Sequence, residues 1–164
     1  PASLAWYRMS PPLFREVDAS GTGGPLLLIH VPALEPWDDA AWPEGCTLFL
    51  PFQDPENVGA AVRTAAAFGV AQVVLLREAA NPFHPRSVRA AGSALLRVPL
   101  RRGPSIHDFD PQGAPVLALS PGGEDVAGCC FQDRFGLLVG LEGPGVPERW
   151  RAGAALGEPE CRNE

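Results

Sequence analysis

Residues 46–69, "CTLFLPFQDPENVGAAVRTAAAFG", join an apolar segment to an alanine-rich segment through a short polar loop. The apolar part predicts a strand at 46–52, and the alanine-rich part predicts a helix at 55–68. Asp54 is a good N-cap, Pro55 suits the first helical position, and Gly69 can end the helix in a left-handed conformation. A strand followed closely by a helix is the unit from which α/β sheets are built.

Apolar and helical segments continue to alternate along the chain. We expect strands at 26–31, 72–76, 95–99, 115–120 and 136–139. We expect helices at 85–92, near 104–109 and from Val146 or Pro147, and a loop or short helix at 33–45. Because the strands are apolar without polar alternation, the predicted fold class is α/β, with a mostly parallel sheet flanked by helices.

The bulk composition indicates one globular domain. The chain has 164 residues, of which 46% are hydrophobic and 20% are charged. The apolar runs have the length of strands and are too short to span a bilayer. No basic segment followed by an apolar one opens the chain, so we expect a cytoplasmic protein that does not bind membranes. The four cysteines lack CxxC spacing and the three histidines are scattered, so we expect no metal.

The charge is unevenly distributed. All 13 basic residues are arginines, and the net charge is −6. Residues 77–102 contain six arginines and one acidic residue, Glu78, so this segment carries +5 and the remainder −11. Two interpretations remain open at this point: a basic patch that holds phosphates, or an ordinary solvated face.

The helix at 55–68 carries a single arginine among small residues. Gly59 and Arg63 lie one turn apart, and Gly59 costs about 1 kcal/mol of helix stability relative to alanine. One interpretation is that the backbone near Asn57 and Gly59 touches a ligand whose charge Arg63 reaches. The other is an exposed, solvated arginine on an ordinary helix, and the spacing leaves both open.

A second segment, "FGLLVGLEGPGVPERW" at 135–150, runs from a buried strand into a glycine-rich turn that contains Glu142. Such a turn offers backbone N–H groups and room for a cofactor, although a tight surface turn has the same composition. The pattern is neither GxGxxG in the required place nor a P-loop. Ligands of parallel sheets bind beyond the carboxyl ends of the strands, where the loops 53–57, 120–124 and 140–145 are expected.

Together the two segments resemble a known family. "DPENVGAAVRTAAAFG" and "LLVGLEGPGVP" resemble motifs 1 and 2 of the SpoU (TrmH-like) RNA methyltransferases of the SPOUT superfamily. The intervening "NPFHPRSVRAAGSALLRVPL" is similar to the middle of the family in character and spacing, and the resemblance covers residues 46–150. Residues 1–25 are then expected to be a linker or the tail of an upstream substrate-binding module, and residues 26–164 the methyltransferase domain.

The resemblance implies a function and an architecture. It implies S-adenosylmethionine-dependent methylation of a ribose 2′-hydroxyl in rRNA or tRNA, by a homodimer whose sheet carries a C-terminal trefoil knot. The family's third motif is not found after motif 2, so we expect the domain to be incomplete at its C-terminus. The alternative that this leaves open is a non-catalytic RNA-binding or assembly module on the same fold.

The resemblance also implies the site residues. The catalytic residues would be Arg63, Asn57 and Glu142, with Arg63 stabilising the developing negative charge and Glu142 anchoring Arg63 or Asn57. Main-chain groups would line the cofactor pocket at Leu119, Ser120, Leu138, Gly140 and Gly145. RNA backbone would be bound by Arg86, Arg89, Arg101 and Arg102, with an affinity that falls with salt.

Overall fold

The computed structural model describes residues 5–18, 21–31, 33–120, 123 and 128–152. The chain divides into two compact units, residues 1–32 and residues 33–164. The first unit contains the helix α1, Pro11–Val17, none of whose side chains is buried. After α1, the Asp18 carboxylate accepts hydrogen bonds from the backbone N–H groups of Thr22 (3.1 Å) and Gly23 (2.9 Å).

The strand predicted at 26–31 is wrong. None of these residues is in a strand, and the side chain of Leu28 is 98% exposed. An apolar run with high β-propensity becomes a strand only when another backbone pairs with it. No described strand pairs with this run, which explains why its composition misled the prediction.

The second unit is built on a sheet of six parallel strands. In chain order the strands are β1 Glu35–Pro36, β2 Gly45–Leu50, β3 Gln72–Leu75, β4 Leu100–Arg102, β5 Val116–Ala118 and β6 Arg134–Leu138. Their order across the sheet is β1-β4-β3-β2-β6-β5. The predicted parallel α/β sheet is therefore confirmed, with β2 at its centre.

Helices connect and cover the strands. They are α2 Pro55–Ala67, α3 Pro85–Ala91, a 3-10 helix at Gly92–Leu96, and α4 Glu148–Ala152. In α2 the Asp54 side chain accepts a hydrogen bond from the N–H of Glu56 (2.8 Å), so Asp54 is the N-cap, as predicted. Within the described ranges no helix combines the length and apolar character needed to cross a bilayer.

The segment between α3 and β5 differs from the prediction. Residues 95–99 do not form a strand, because Gly92–Leu96 is a 3-10 helix and the strand comes later, at Leu100–Arg102. Pro99 lacks an N–H, but its carbonyl still accepts a hydrogen bond from Val73 (2.9 Å). The helix predicted near 104–109 is a turn at 106–108, and the two-residue strand β1 within 33–45 was not predicted.

Both faces of the sheet are buried. On one face Leu50, Val73 and Leu75 pack against α2, α3 and the 3-10 helix. On the other face Phe49, Val74 and Leu76 pack against residues of the segments that follow β4 and β6, including Phe109 and Val146. Adjacent strand residues thus point into two different cores, which is why the strands show no polar alternation.

Gly59 is explained by helix packing rather than by a ligand. The residue is buried where α2 crosses α3. A Cβ atom at this position would lie 2.7 Å from the Cβ of Ala90 and would overlap the carbonyl oxygen of Ser87. At Gly59 the space that a ligand would need is therefore filled by α3, and a ligand contact near Asn57 stays a prediction.

Candidate active site at the carboxyl edge of the sheet

Three neighbouring strands bring the predicted cofactor residues to one edge. The strands β5, β6 and β2 are adjacent and parallel, so their carboxyl ends open onto the same side of the sheet. The residues that follow them are Leu119 and Ser120, the loop 139–145, and the loop 51–54 that leads into α2. This edge is where ligands of parallel sheets bind.

Glu142 joins the two motifs. Its Oε2 atom accepts hydrogen bonds from the backbone N–H groups of Gln53 (2.9 Å) and Asp54 (2.8 Å). Its Oε1 atom accepts a hydrogen bond from the side-chain Nδ2 of Asn57. Of the two partners considered for Glu142, the structure therefore selects Asn57. One carboxylate of motif 2 thus satisfies three donors at the start of the helix that carries motif 1.

These contacts decide the protonation state of Glu142. The hydrogen bond from Asn57 is the main cause that lowers the pKa of the Glu142 carboxyl. Burial and the nearby charge of Asp54 raise this pKa, but the N–H groups of Asp54 and Gln53 add to the effect of Asn57, so the net shift is downward. The carboxylate is therefore ionised and committed to donors of its own chain. This arrangement suits a group that orients its neighbours and does not suit a proton acceptor in catalysis.

The glycine-rich loop after β6 is closed upon itself. Leu141 and Gly145 exchange two backbone hydrogen bonds, each of 2.9 Å. Gly143 and Gly145 have positive φ angles of 90° and 74°, which glycine adopts without strain. A Cβ atom on Gly140 would lie 2.7 Å from the Cα of Gly145. The N–H groups of Leu141 and Gly145 are thus already paired, and the glycines let the chain cross itself closely.

The end of β5 lies beside this loop. The N–H of Leu119 donates to the carbonyl oxygen of Leu138 (2.8 Å), and the carbonyl oxygen of Ser120 accepts from Gly123 (3.0 Å). The Leu138 side chain is fully buried, whereas the Leu119 side chain is 45% exposed. The edge therefore combines an open apolar side chain with polar main-chain groups. Residues 121, 122 and 124 of the loop predicted at 120–124 lie outside the described residues.

Arg63 is not brought to Glu142. Its side chain is exposed, and it forms no hydrogen bond or ion pair with any residue that the structure describes. Six residues separate it from Asn57, which places it about 9 Å further along α2 and roughly a third of a turn around it. The structure thus assembles Asn57 and Glu142 and leaves Arg63 on a separate, open face of the helix.

The four arginines predicted to bind RNA fall into two pairs. Arg86 forms ion pairs with Glu56 (3.1 Å) and Asp54 (3.7 Å), and Arg101 pairs with Glu35. Arg89 and Arg102 are exposed, and within the described part of the chain neither makes an ion pair. Only the second pair presents charges that internal carboxylates do not already offset.

The sequence did not identify two arginines that hold the site's surroundings. Arg149 donates to the carbonyl oxygens of Ile106 (3.1 Å) and Phe109 (2.7 Å). Arg151 donates to those of Val146 (2.9 Å) and Pro144 (2.5 Å). Both come from α4, and their partners are main-chain carbonyl groups, which carry no signature in a sequence.

Glu78 is a further anchor that was not predicted. Its carboxylate accepts hydrogen bonds from the N–H of Ile106 (3.0 Å) and the hydroxyl of Ser105, which ties the segment after β3 to the segment after β4. Burial raises the pKa of Glu78, but these hydrogen bonds outweigh that effect, so the pKa lies below its ordinary value. In the sequence it stands out only as the one acidic residue within 77–102.

Known proteins resemble this chain over all or part of its length. It is 53% identical over 164 residues to the ribosomal RNA small subunit methyltransferase G 2 of Syntrophobacter fumaroxidans, a match that covers 99% of this chain and 32% of that protein. It is 33% identical over 98 residues to the 23S rRNA (guanosine(2553)-2′-O)-methyltransferase RlmP of Bacillus subtilis, covering 57% of this chain and 40% of that protein. The chain thus spans well under half of the length of either relative.

A solved structure shares the fold. The SpoU methyltransferase AviRb of Streptomyces viridochromogenes, in complex with the cofactor AdoMet, superposes with a TM-score of 0.72 at 23% identity. The superposition covers 96% of this chain and 66% of that one. The two proteins therefore share one α/β architecture. The residues after 152 lie outside the described part of the chain, so the C-terminal trefoil knot stays a prediction.

A model of one protein family matches residues 48–156, from the central strand through both motifs. The matched range contains Asn57 and Glu142, the pair that the structure brings into contact across the edge of the sheet. The family is the SpoU rRNA methylase family, and this chain belongs to it.

Proposed function

We propose that this protein is an S-adenosylmethionine-dependent methyltransferase that acts on a ribose 2′-hydroxyl of rRNA or tRNA. The observation that carries the proposal is the contact between Glu142 and Asn57, which fixes motif 2 on motif 1 at the ligand-binding edge of the sheet. It acts as a homodimer in the cytoplasm and uses no metal.

The comparisons support the reaction by analogy. The relative from Bacillus subtilis is named as a 2′-O-methyltransferase of 23S rRNA, and the structure of AviRb contains AdoMet. The relative from Syntrophobacter fumaroxidans is named for the small ribosomal subunit, which favours rRNA over tRNA as the substrate. Each name describes a protein longer than this chain. We propose that the named activity applies to the part that this chain matches.

The residues at the edge suit an adenosyl group in their chemistry. The exposed Leu119 side chain offers an apolar surface for a purine, and the Ser120 hydroxyl and the main chain at Leu138 and Gly140 offer polar partners. Gly145 adds main-chain groups of the same loop, beside the guanidinium of Arg151. When bound, S-adenosylmethionine supplies an electrophilic methyl group on its sulfonium sulfur.

The chain's own residues must handle the nucleophile. A ribose 2′-hydroxyl loses its proton as its oxygen bonds to the methyl carbon and the bond from that carbon to sulfur breaks. Arg63 is a poor base because its pKa is very high, so its role is electrostatic: it orients the hydroxyl and the adjacent phosphate and stabilises the developing charge. That phosphate is the acceptor we assign for the proton. Asn57 donates its amide to Glu142, which leaves its Oδ1 atom to accept from the ribose.

The distance between Arg63 and Asn57 along α2 supports a homodimer. Because Arg63 lies about 9 Å further along α2, one copy of the chain does not gather all three proposed catalytic residues at one point. A homodimer accounts for this separation, since a second copy can bring its own edge of the sheet to the exposed face that carries Arg63. The small residues around Arg63 on α2 permit such a close approach.

Methyl transfer tests the proposal. The full-length protein is incubated with tritium-labelled S-adenosylmethionine and unmodified rRNA or tRNA, and label in the RNA is counted. We expect transfer by the wild type and a loss of about 100-fold or more in Arg63→Ala, the size seen when a charge-stabilising donor is removed. Arg134→Ala is the matched control, because Arg134 is an exposed arginine at the opposite end of β6 and its loss should leave the rate unchanged.

Calorimetry separates the enzyme from the alternative function. Binding of S-adenosylmethionine is expected for a methyltransferase. Salt-sensitive RNA binding without any measurable binding of S-adenosylmethionine would contradict the proposal and support a non-catalytic RNA-binding module on this fold.

A further inference from the structure

Two sets of hydrogen bonds hold the loop 141–145, one to the rest of the domain and one within the loop. On one side Glu142 receives donors from Gln53, Asp54 and Asn57. At its base Leu141 and Gly145 pair with each other. Between them stand Gly143 and Pro144, and the positive φ of Gly143 is a conformation from which a glycine departs easily. The hydrogen bonds between Leu141 and Gly145 alone therefore do not determine where the Glu142 carboxylate lies.

Arg151 supplies the missing constraint on the other side of the loop. Its Nε atom donates to the carbonyl oxygen of Val146 (2.9 Å), and its Nη2 atom donates to that of Pro144 (2.5 Å). The same Nη2 atom lies 3.6 Å from the point where a Cβ of Gly145 would stand, so the guanidinium lies over the residue between its two partners. One guanidinium group thus holds two carbonyl groups on either side of Gly145, which its planar fork of donors allows and a lysine ammonium does not match.

The geometry of Glu142 demands such a constraint. Its two oxygens must remain within hydrogen-bond distance of three donors from two different parts of the motif 1 segment. A shift of the loop by about 1 Å would take these contacts outside the normal range of 2.7–3.2 Å. Displacements of that size in a supporting segment are sufficient to impair a site.

We propose that Arg151 is a positioning residue: by gripping Pro144 and Val146 it holds Glu142 on the start of α2 and thereby fixes Asn57. The importance of Asn57 rests on the proposed function, but the placement of Glu142 does not. No step of methyl transfer passes through Arg151 itself, whose contacts are with main-chain carbonyl groups of the loop.

Nuclear magnetic resonance tests this without cofactor or RNA. The amide resonances of Gln53 and Asp54 should move as pH falls and Glu142 takes up a proton, because both N–H groups donate to its carboxylate. Glu142→Gln should remove the part of this movement that is due to Glu142. In Arg151→Ala the midpoint of the Glu142 titration should rise towards the ordinary glutamate value. Hydrogen exchange of the Gln53 and Asp54 amides with solvent should accelerate roughly 3- to 10-fold.

Two further variants complete the experiment. Arg149→Ala is the matched control, because Arg149 lies in the same helix and grips Ile106 and Phe109 instead of the loop, so it should leave the Glu142 midpoint unchanged. Arg151→Lys retains the charge with a single point of contact and should give an intermediate midpoint. If Arg151→Ala is insufficiently folded at acid pH, Arg151→Lys alone decides the question.

An unchanged Glu142 midpoint and unchanged amide exchange in folded Arg151→Ala, or in Arg151→Lys where only that variant folds, would overturn the proposal. An equal shift of the Glu142 midpoint in Arg149→Ala would overturn it as well, because the position of Glu142 would then depend on α4 in general and not on Arg151. These results do not depend on methyl transfer, so a failure of the proposed function and a failure of this inference can be told apart.

Discussion

At the scale of single residues, Glu142 is the centre of the candidate site. Acidic residues near reacting groups often exchange protons, but Glu142 has three donors of its own chain and a lowered pKa. Its contribution is to bind two sequence motifs, 85 residues apart, into one structure. Motif 1 and motif 2 are therefore a single physical unit as well as two sequence signatures.

The lowered pKa of Glu142 predicts how stability changes with pH. A carboxyl group whose pKa is lower in the folded state than in the unfolded state stabilises the fold above its unfolded pKa, and this contribution disappears as pH falls through the folded pKa. The free energy of unfolding should therefore be higher in wild type than in Glu142→Gln at pH 7, and the difference should shrink below about pH 4.5. Urea denaturation at a series of pH values measures it.

Asp39 and Glu78 also have lowered pKa values, so they too make stability depend on pH. This dependence is common to wild type and Glu142→Gln and cancels when the two are compared. A difference in unfolding free energy that stays constant from pH 7 to acid pH would show that Glu142 is not held as described. Because the carboxylate is partly exposed, the direction of the change is the prediction and its size depends on salt.

The sequence led to Asn57 and Glu142 because the family resemblance marks them. It left open whether Glu142 anchors Arg63 or Asn57, because the answer depends on how β6 sits beside β2, and strand order is not contained in local patterns. It could not identify Arg151 either, since that side chain recognises carbonyl groups that every residue possesses.

At the scale of secondary-structure elements, the contact between α2 and α3 shapes the site's framework. Gly59 lets the two helices approach so closely that the Ser87 carbonyl and the Ala90 side chain occupy the space of a missing side chain. Close approach in turn places Arg86 at the start of α3 beside Glu56 in the first turn of α2. On the face that packs against α3, the small residue of α2 is therefore required by the neighbouring helix.

Gly59→Ala should therefore destabilise the protein. Alanine favours a helix by about 1 kcal/mol over glycine, but overpacking against a rigid backbone carbonyl costs typically 1–3 kcal/mol. We expect a net loss of up to about 2 kcal/mol in the free energy of unfolding, measured by chemical denaturation. Ala67→Gly at the exposed end of the same helix is the control and should cost no more than about 1 kcal/mol through helix propensity alone. Stabilisation by Gly59→Ala would contradict the packing described here.

Elements with strong local signals were predicted to within one or two residues. The boundaries of α2 followed from Asp54, Pro55 and Gly69, each of which has a local conformational reason to stand there. The strand at 95–99 was misplaced because Leu95 and Val98 are apolar for another reason: they fill the core beneath α2. The run at 26–31 failed because pairing between strands is a tertiary property.

At the scale of the whole molecule, charge distribution distinguishes the arginines. The chain carries −6 overall, yet residues 77–102 are strongly basic. Within that segment Arg86 and Arg101 neutralise carboxylates of the protein, whereas Arg89 and Arg102 have no such partner among the residues described. A count of arginines in the sequence therefore overstates the charge that is available for phosphates.

RNA binding should reveal this difference. Each arginine that neutralises a phosphate contributes about 0.7 to the slope of log K against log salt for single strands. Arg89→Ala and Arg102→Ala should each reduce the slope by about that amount. Arg86→Ala and Arg101→Ala should reduce it less, since the wild-type side chains are occupied with Glu56 and Glu35. Fluorescence titrations at several salt concentrations provide the slopes, and equal reductions in all four variants would contradict the division.

The chemical position of the transferred methyl group tests the central claim most directly. RNA that the full-length protein has methylated is digested to nucleosides and examined by mass spectrometry, with Arg63→Ala as the reference. The proposed function predicts nucleosides methylated on the 2′-oxygen, in linkages that resist alkaline hydrolysis, and an initial rate of their formation about 100-fold or more lower with Arg63→Ala. A methyl group on a base, or 2′-O-methylation by Arg63→Ala at the wild-type rate, would contradict it.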